Sequence, residues 1–494
     1  MAPIDIAIVV LYLVGTLIIG FIVGRKQETS TDYFLGGRKL PWWTVGMSLV
    51  ASDIGSVELV GVAGGAYMYG MVLANFDWIA CTVSMVIAAF IFIPFYWKAG
   101  VYTIPEYLGR RYNDNVRAML AVIWGLFMVA NLGILLWAAG KTINVLVGWP
   151  IQMSIILTAF VVGFYTFSGG LKAVVYTDVL QYFILTIGSI ALLVVGLVKV
   201  GGIDGLVNKI TLLSPNNQHY FDLILPADTK TPFSWSAVLL GLGFVLGPAY
   251  WAGNQAIVQR CLGTCSQHEV KKATIFGAFL KIFFPILIVV PGIIGFALFP
   301  KLKSADDIYP TMLHTMLPVG LSGLVFAGFL AAMMSTVDSY LNSATTLWTM
   351  DVYKRYIKKQ ADSHHLMVVG KTLTIIFIVL AAYLAPFTSK FSGIFNALQT
   401  LLSIFQGPTF AILLLGMVWK RANSPGAIAG LVVGVLTSSM LFGVQGGIFQ
   451  TKDPYLYIAW WSFLTAVIVT VAVSLCTKPP SEEKVKNLMF SKEG

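Results

Sequence analysis

The stretch SLVASDIGSVELVG, residues 48–61, lies within a run of apolar residues that is long enough to cross a bilayer. It carries two carboxylates, Asp53 and Glu58, and it contains no basic residue that could neutralise them. An ionisable residue in the middle of a membrane span is unfavourable by about 2.5–3.5 kcal/mol on insertion scales. Because glycines flank Glu58 as well, the sequence predicts an interrupted helix whose acids face a polar site inside the protein.

The composition of the whole chain is that of an integral membrane protein. Of its 494 residues, 57% are hydrophobic and 11% are charged, whereas soluble globular proteins carry about 25% charged residues. Apolar stretches of about 20 residues recur along almost the whole length, and a helix needs this length to span the hydrocarbon core. We therefore expect an all-α membrane fold.

About thirteen segments are predicted to span the membrane. The first is not interpreted as a signal peptide, because no basic residue precedes its apolar core and no convincing cleavage site follows it. The predicted spans are residues 4–24, 41–70, 74–98, 116–146, 150–168, 174–200, 233–256, 272–299, 318–350, 368–387, 391–419, 424–443 and 455–476.

Lysine and arginine residues are distributed unevenly between the two sides of the membrane. If the spans alternate from an N-terminus outside, 23 of the 32 lysines and arginines lie in inner loops, in the tail or at inner span ends. The positive-inside rule then predicts a plasma (inner) membrane protein with its N-terminus outside and its C-terminus in the cytoplasm. The net charge of +10 is explained in this way without a nucleic acid partner.

Interrupted spans occupy corresponding positions in two halves of the chain. When the first span and the last two spans are set aside, five predicted spans precede the outer loop 201–232 and five follow it. The first span of each group of five contains helix-breaking residues, at 51–65 and at 241–254. Such a pair indicates an inverted repeat with binding sites at the breaks. The expected organisation is one transporter domain, 1–494, with an extra helix at 4–24, repeats at 41–200 and 233–419, two helices within 424–476 and a cytoplasmic tail at 477–494.

Apart from Asp5 and the lysines and arginines near span ends, six ionisable residues lie within predicted spans, namely Asp53, Glu58, Asp77, Asp178, Lys281 and Asp338. For the three aspartates close to span ends, a structural ion pair explains the position as well as a functional role does. For the two acids at the helix break a binding site is the better explanation, because unwound carbonyls and helix ends supply ligands there. Lys281, the only basic residue that is buried on this interpretation, needs a carboxylate or solute hydroxyls as its partner.

Neutral oxygen-bearing side chains are concentrated in residues 331–343, AAMMSTVDSYLNS. Hydroxyls in a helix often bond back to their own backbone carbonyls. Their density here, together with an acid, favours the wall of a site for a hard cation, which prefers oxygen ligands. The side chains concerned are Ser335, Thr336, Asp338, Ser339 and Asn342.

The chain resembles the solute:sodium symporters, and most closely their sodium/glucose (galactose) cotransporter branch. The likeness runs from about residue 4 to residue 476. It implies a LeuT-like fold of two inverted five-helix repeats with broken first helices, and alternating access driven by sodium. The matching motifs are DYFLGGRKLPWW, SLVASDIG, YTIPEYLGRRY, SGGLKAVVYTDVLQ, YWAGNQAIVQR, AFLKIFFP and STVDSYLNSATTLWTMDVYKR.

The resemblance also implies where sodium binds. A first sodium site would use three backbone oxygens and two hydroxyls, from Ala51, Ile54, Ala332, Ser335 and Thr336. A possible second sodium site would use Asp178, Ser335 and Ser339, with Asp338 beside them. Because some relatives have a hydroxyl residue where this chain has Asp338, that acid would strengthen the second site or take a proton instead.

For the solute, the resemblance implies a site with an inner aromatic gate and an outer gate position. Its residues would be Asp53, Glu58, Asp77, Tyr250, Trp251, Lys281, Phe395 and Gln399. Several positions depart from the sugar-transporting relatives, so that two amides become acids and two small polar contacts are lost. Asp53 replaces an asparagine, Glu58 a glutamine, Gly247 an asparagine and Ala80 a serine, while Asp77 replaces a glutamate.

Taken together, these features predict a sodium-driven symporter that imports a small neutral polar solute, a sugar or a polyol, across the lipid bilayer. The alternative is an amino acid or a cationic amino compound, because Asp53, Glu58 and Asp77 outnumber Lys281. A channel is disfavoured because no pore loop or repeated filter sequence is present. An enzyme is disfavoured because the sequence has no HExxH motif and no nucleophile elbow.

Overall fold

The computed structural model describes residues 2–24, 28–214, 219–391, 393–444, 448–449, 451, 453–485 and 488–489. Regular structure in these residues is helical, apart from two isolated backbone bridges. Up to the end of α10, which lies within the predicted outer loop 201–232, the main helices are α1 Pro3–Gly24, α2 Ser30–Leu35, α3 Trp42–Asp53, α4 Glu58–Ala74, α5 Phe76–Ala99, α6 Ile104–Arg111, α7 Asp114–Val147, α8 Ile151–Gly163, α9 Gly170–Val200 and α10 Gly202–Leu213. After it they are α11 Ala237–Gly253, α12 Gln255–Leu262, α13 Gln267–Leu298, α14 Ile308–Met316, α15 Leu321–Ile357, α16 Ser363–Lys390, α17 Ile394–Val418, α18 Ser424–Gly443 and α19 Tyr455–Cys476.

The described helices include ten that are long and apolar enough to cross a membrane, and two bent pairs that pass the same test when each is taken as one span. The apolar helix α8 is shorter than these. The expectation of an all-α membrane fold is therefore confirmed. The count of thirteen spans stays a prediction, because it depends on α8 crossing the membrane.

The first bent pair is α3 and α4, which meet at an angle of 56° across residues 54–57. Ile54 leaves the helical conformation, with φ −91° and ψ 88°, while its N–H still bonds to the carbonyl of Val50 at 3.0 Å. Ser56 then donates to the carbonyl of Leu135 on α7 at 3.0 Å, which fixes the break against a neighbouring helix. The last carbonyls of α3, which have no partner within the helix, consequently lie inside the protein.

The second bent pair is α11 and α12, which meet at 48° around Asn254. Asn254 has an extended backbone, and its side-chain oxygen accepts a hydrogen bond from the N–H of Ala256 at 2.9 Å, so it caps the start of α12. Its amide nitrogen donates to the hydroxyl of Tyr340 on α15 at 3.1 Å. The two predicted helix breaks are therefore both present.

Helix α15 lies at the centre of the bundle and packs against α1, α7 and α9. Every side chain from Val325 to Leu347 is buried, so its many hydroxyl groups face protein rather than lipid. At its start, the carboxylate of Asp5 on α1 accepts hydrogen bonds from the N–H groups of Gly320 and Gly323, at 2.7 and 2.9 Å. A carboxylate is favourable at this end because the helix dipole is positive there.

Candidate functional site

A cavity where the two bent helix pairs meet contains all of the side chains that were predicted to contact the solute. It encloses about 820 Å³ of empty space, including space that opens to solvent. The part of it that a water-sized molecule can occupy is about 90 Å³, which is smaller than the roughly 300–1,000 Å³ of typical small-molecule sites. The predicted residues on its wall are Asp53, Glu58, Asp77, Tyr250, Trp251, Lys281, Phe395 and Gln399.

The ammonium group of Lys281 joins two carboxylates on this wall. Its Nζ lies 2.5 Å from Asp53 Oδ2 and 2.8 Å from Asp77 Oδ1, and its side chain is 1% exposed. The three residues come from α13, α3 and α5, so one buried ion cluster connects three helices. A buried charge needs such partners, because an isolated ion in a low-dielectric interior is strongly unfavourable.

The acids of this cluster could in principle hold a metal ion together with Cys81. The ligand atoms of Asp53, Asp77 and Cys81 lie within 4.8 Å of one another. However, the ammonium of Lys281 already contacts both carboxylates, and it supplies the positive charge that a metal would bring. The arrangement is therefore that of an ion cluster within a solute cavity.

Glu58 has a different environment from the two aspartates, because it closes the break between α3 and α4. Its Oε2 accepts a hydrogen bond from the N–H of Gly55 at 2.8 Å, in the first turn of α4, where a negative charge is favoured. The side chain also lines the cavity. Glu58 thus stabilises the helix break and contributes a carboxyl group to the wall at the same time.

Aromatic side chains lie at two places on the cavity wall. Phe76 and Phe395 meet edge to face, with ring centroids 4.9 Å apart. On α11 and α15, the hydroxyls of Tyr250 and Tyr340 lie 3.3 Å apart, and Asn254 donates to Tyr340. The predicted gate residues Phe395 and Tyr250 therefore each contact a second aromatic residue.

The residues predicted for the first sodium site are brought together where α3 ends beside α15. Ser335 Oγ donates to the carbonyls of Ala51 at 2.6 Å and Ala332 at 3.0 Å. Thr336 Oγ1 donates to the carbonyls of Ser52 and Ala332, both at 3.0 Å. Hydroxyl and carbonyl oxygens therefore converge from two helices.

Ile54, the remaining predicted ligand, lies at the end of α3 directly before Gly55. A Cβ atom at Gly55 would lie 2.6 Å from Thr336 Oγ1, so the absence of a side chain allows the break to approach α15. The negative end of the α3 dipole also points to this place. Neutral oxygens at a helix C-terminus suit a hard monovalent cation, and the donor set fits sodium as the transported ion.

Residues 33–434 of the chain match the sodium:solute symporter family. The chain belongs to this family. It is 32% identical to the sodium/glucose cotransporter of Vibrio parahaemolyticus, in an alignment covering 99% of this chain and 94% of that protein. It is also 32% identical to the sodium/myo-inositol cotransporter of Homo sapiens, over 98% of this chain and 75% of that one.

A solved structure with the same fold is that of a Na⁺-coupled sialic acid symporter in a substrate-bound, outward-open state. The TM-score is 0.85 at 24% sequence identity, covering 97% of this chain and 99% of that one. The expected LeuT-like fold is confirmed by this similarity. The chain is thus a sodium-coupled symporter of the membrane and a transport protein rather than an enzyme.

At the residues predicted for a second sodium site, the symporter has a cationic side chain of its own. Arg260 NH2 lies 3.4 Å from Asp178 Oδ2 and also donates to Ser339 Oγ. Asp178 Oδ2 additionally accepts from Ser48 at 2.5 Å and from Ser52 at 3.1 Å. A sodium ion there would share Asp178 and Ser339 with the guanidinium, and the second site stays a prediction.

The other predicted members of that second site are close by. Ser339 Oγ lies 3.3 Å from Asp338 Oδ1, and both residues are buried. Ser339 also donates to the carbonyl of Ser335, which connects this region to the first site. The two predicted cation sites are therefore neighbours on α15.

The expectation that Lys281 is the only buried basic residue is wrong. Arg260 is fully buried on α12, although the sequence placed it in an inner loop. The physical reason is the cap at Asn254, which restarts the helix and carries it on to Leu262. Arg111 is also fully buried, and it donates to backbone carbonyls that include that of Gly416 at 2.7 Å.

Two amide side chains on the cavity wall were missed in the sequence. Asn131 on α7 and Gln406 on α17 are 2% and 1% exposed. Asn131 Oδ1 and both polar atoms of Gln406 have no hydrogen-bond partner in the structure. Buried polar atoms are nearly always paired, so these groups are suited to bind a solute or water in the cavity. An isolated amide in an apolar span is the sequence signal that could have identified them.

Gly247 lines the cavity at a position where sugar-transporting relatives were expected to have asparagine. A Cβ atom at Gly247 would lie 2.5 Å from the carbonyl oxygen of Ala80. Helices α11 and α5 therefore approach too closely here for any side chain. Position 247 therefore offers the cavity no side-chain hydrogen-bonding group.

Proposed function

We propose that this symporter imports a neutral polyhydroxylated solute, a sugar or a polyol, together with sodium. The observation that carries the proposal is that the charged groups of the cavity wall are paired with one another, while some neutral polar groups are not. Lys281, Asp53 and Asp77 bond to one another, whereas buried polar atoms of the neutral residues Asn131, Trp251 and Gln406 have no partner. Neutral amides with both donors and acceptors pair well with hydroxyl groups.

The relatives support the same solute class, since the names of the two similar proteins reported above specify glucose and myo-inositol as their solutes. Both are compact rings bearing hydroxyl groups. The aromatic residues Phe76, Tyr250 and Phe395 on the wall supply apolar faces that can cover such a ring. The ion cluster can still accept and donate hydrogen bonds to hydroxyls at its edge.

The coupling between ion and solute would pass through Thr336. Its hydroxyl is a predicted ligand of the first sodium ion, and the same residue lines the solute cavity. Sodium bound between Ala51, Ile54 and α15 would hold the helix break in the arrangement that completes the cavity. Loss of the ion would then release that arrangement, and binding of the two species would be linked reciprocally.

The proposed placement is a plasma membrane with the N-terminus outside, because 23 of the 32 basic residues then lie at the inner side. In this orientation the Phe395 gate is nearer the outside, and the Tyr250 gate is nearer the cytoplasm. Uptake would begin past Phe395 and end past Tyr250.

Uptake into proteoliposomes is expected to depend on an inward sodium gradient, because transport of the solute uphill needs the free energy of that gradient. Labelled glucose and myo-inositol are added outside, with sodium or potassium as the external cation. The expected result is that the labelled solute accumulates inside when sodium is the external cation, and that this accumulation is lost when a sodium ionophore is added. Equal uptake in sodium and potassium contradicts sodium coupling, while sodium-dependent uptake of neither compound contradicts the solute class.

A second candidate solute is an amino acid or a cationic amino compound. The observation that favours it is the excess of acid on the wall, where Asp53, Glu58 and Asp77 face the single ammonium of Lys281. Glu58 is the acid outside the ion cluster, and it would attract a substrate ammonium group. Competition of amino compounds against labelled polyol separates the two candidates.

Glu58→Gln distinguishes these solutes by replacing the acid with an amide that cannot ionise, while it keeps a side-chain oxygen for the Gly55 N–H. Affinity for neutral polyols is expected to change by less than about threefold, whereas affinity for an amino compound falls by about tenfold or more. Sodium activation is expected to stay the same. The measurement is competition of each solute against labelled uptake, with Glu269→Gln as a control on α13 outside the cavity. An unchanged preference among all solutes would show that Glu58 contacts none of them.

A further inference from the structure

A second polar cavity lies at the surface, where α7 begins and α15 ends, apart from the solute site. It encloses about 610 Å³ of empty space, including space open to solvent. Its charged lining comprises the cations Arg117, Lys354, Arg355 and Lys359, with Glu106 as the one carboxylate. A concave surface with this excess of positive charge is suited to an anion.

The nearby acids are already paired, which leaves part of this positive charge available. Glu106 bonds to Arg110 at 2.6 Å, and Asp351 lies 2.6 Å from Arg117. Arg355 pairs with Asp114 at the surface. Among the residues that the structure describes, no carboxylate lies within salt-bridge distance of Lys354 or Lys359. Two ammonium groups therefore face one cavity without a counter-ion from the protein.

The position of the cavity indicates what kind of anion it takes. Helix α15 ends at Ile357, and the last two side chains of this span, Tyr356 and Ile357, are 51% and 69% exposed. An exposed tyrosine and isoleucine at a span end are typical of the boundary between lipid and water. The cavity is also on the side with most of the lysines and arginines, which faces the anionic inner leaflet.

We propose that this basic cavity binds the phosphate of an anionic phospholipid headgroup. Lys354 and Lys359 donate to the phosphate oxygens, Arg117 and Arg355 keep their carboxylate partners Asp351 and Asp114, and the acyl chains lie against the exposed end of α15. The site is separate from the solute cavity. It would hold the cytoplasmic end of the helix that carries Ser335 and Thr336.

Lys354→Gln with Lys359→Gln is expected to weaken phosphatidylglycerol binding by about 30-fold, since each basic residue near an anionic surface contributes about 1 kcal/mol. Binding is measured by native mass spectrometry of the purified full-length symporter with added phosphatidylglycerol or phosphatidylcholine. The matched control is Lys209→Gln with Lys230→Gln, two lysines outside the cavity. Lys354→Arg with Lys359→Arg keeps the charges and is expected to retain the lipid, which tests the proposal even if the glutamine variant fails to fold.

Three results would overturn the proposal. One is equal phosphatidylglycerol binding by the glutamine variant and the wild type. Another is displacement of phosphatidylglycerol by an equal amount of phosphatidylcholine, which would mean that the charge is not recognised. The third is displacement by glycerol phosphate at the same concentration, which would make this a site for a soluble phosphate and not for a lipid. Selective retention of phosphatidylglycerol by the wild type, the lysine control and the arginine variant supports it.

Discussion

Half-maximal sodium activation of uptake is expected to shift upward by at least about 100-fold when Ser335 and Thr336 are both replaced by alanine. Each hydroxyl offers the cation an oxygen, and a contact with a charged group is worth about 1.5–3 kcal/mol. The same substitutions leave the carbonyls of Ala51 and Ser52 without their hydroxyl partners. The measurement is the initial rate of solute uptake in proteoliposomes as a function of sodium concentration, at a fixed solute concentration.

The control for this variant replaces two other buried hydroxyls, Thr345 and Ser462, by alanine. These bond to carbonyls of their own helices, at Asn342 and Ala459, and lie outside both predicted sodium sites. Sodium activation of the control is expected to match the wild type. At saturating sodium, the Ser335/Thr336 variant should still rank solutes in the wild-type order. A folded variant with a wild-type sodium curve would remove both residues from the ion site.

The helix breaks could be predicted from the sequence because the cause is local. Glycines lie on either side of Glu58 in a run that also carries Asp53, and Gly243, Gly247, Pro248 and Gly253 lie close together in the corresponding span. Local backbone preferences and the unfavourable burial of charge therefore indicate the same positions. The hydroxyls of α15 could be predicted for a similar reason, since their helical spacing is visible in the chain.

The partners of Lys281 and Arg260 illustrate what a single sequence leaves open. That Lys281 needs a carboxylate follows from its burial, but that it binds both Asp53 and Asp77 depends on how α3, α5 and α13 pack. Arg260 was assigned to a loop, because its burial depends on the cap at Asn254 and on the distant acid Asp178. Long-range packing decides these pairs, and hydrophobic periodicity carries no information on it.

For the neutral polar groups of the cavity wall, too, the sequence does not reveal which residues lie together. Asn131 and Gln406 are unremarkable in sequence, and only the three-dimensional arrangement places their unpaired atoms on one wall. The contact between Gly247 and Ala80 likewise becomes apparent only when α11 and α5 are seen together. The prediction of the solute class therefore depends more on the structure than the prediction of the sodium site does.

Lys281→Met is expected to abolish transport and to lower the stability of the folded symporter by about 3–5 kcal/mol, because it leaves two buried carboxylates without their cation. Asp53 and Asp77 each lie within 3 Å of the Lys281 ammonium, and their side chains are 9% and 11% exposed. Methionine has a similar length and no charge, so it isolates the electrostatic effect from a change in volume. The measurements are the melting temperature of the purified protein and uptake in proteoliposomes.

The triple variant Asp53→Asn, Asp77→Asn, Lys281→Met separates the two roles that Lys281 can have. If the ammonium serves only to balance the carboxylates, removing all three charges restores the melting temperature to near that of the wild type, and solute binding returns with it. If the ammonium also contacts the solute, stability returns while binding stays weak, because the neutral triple variant lacks that donor. A wild-type melting temperature for Lys281→Met alone would contradict both of these roles of Lys281. It would mean that the two carboxylates are neutralised by something other than this lysine.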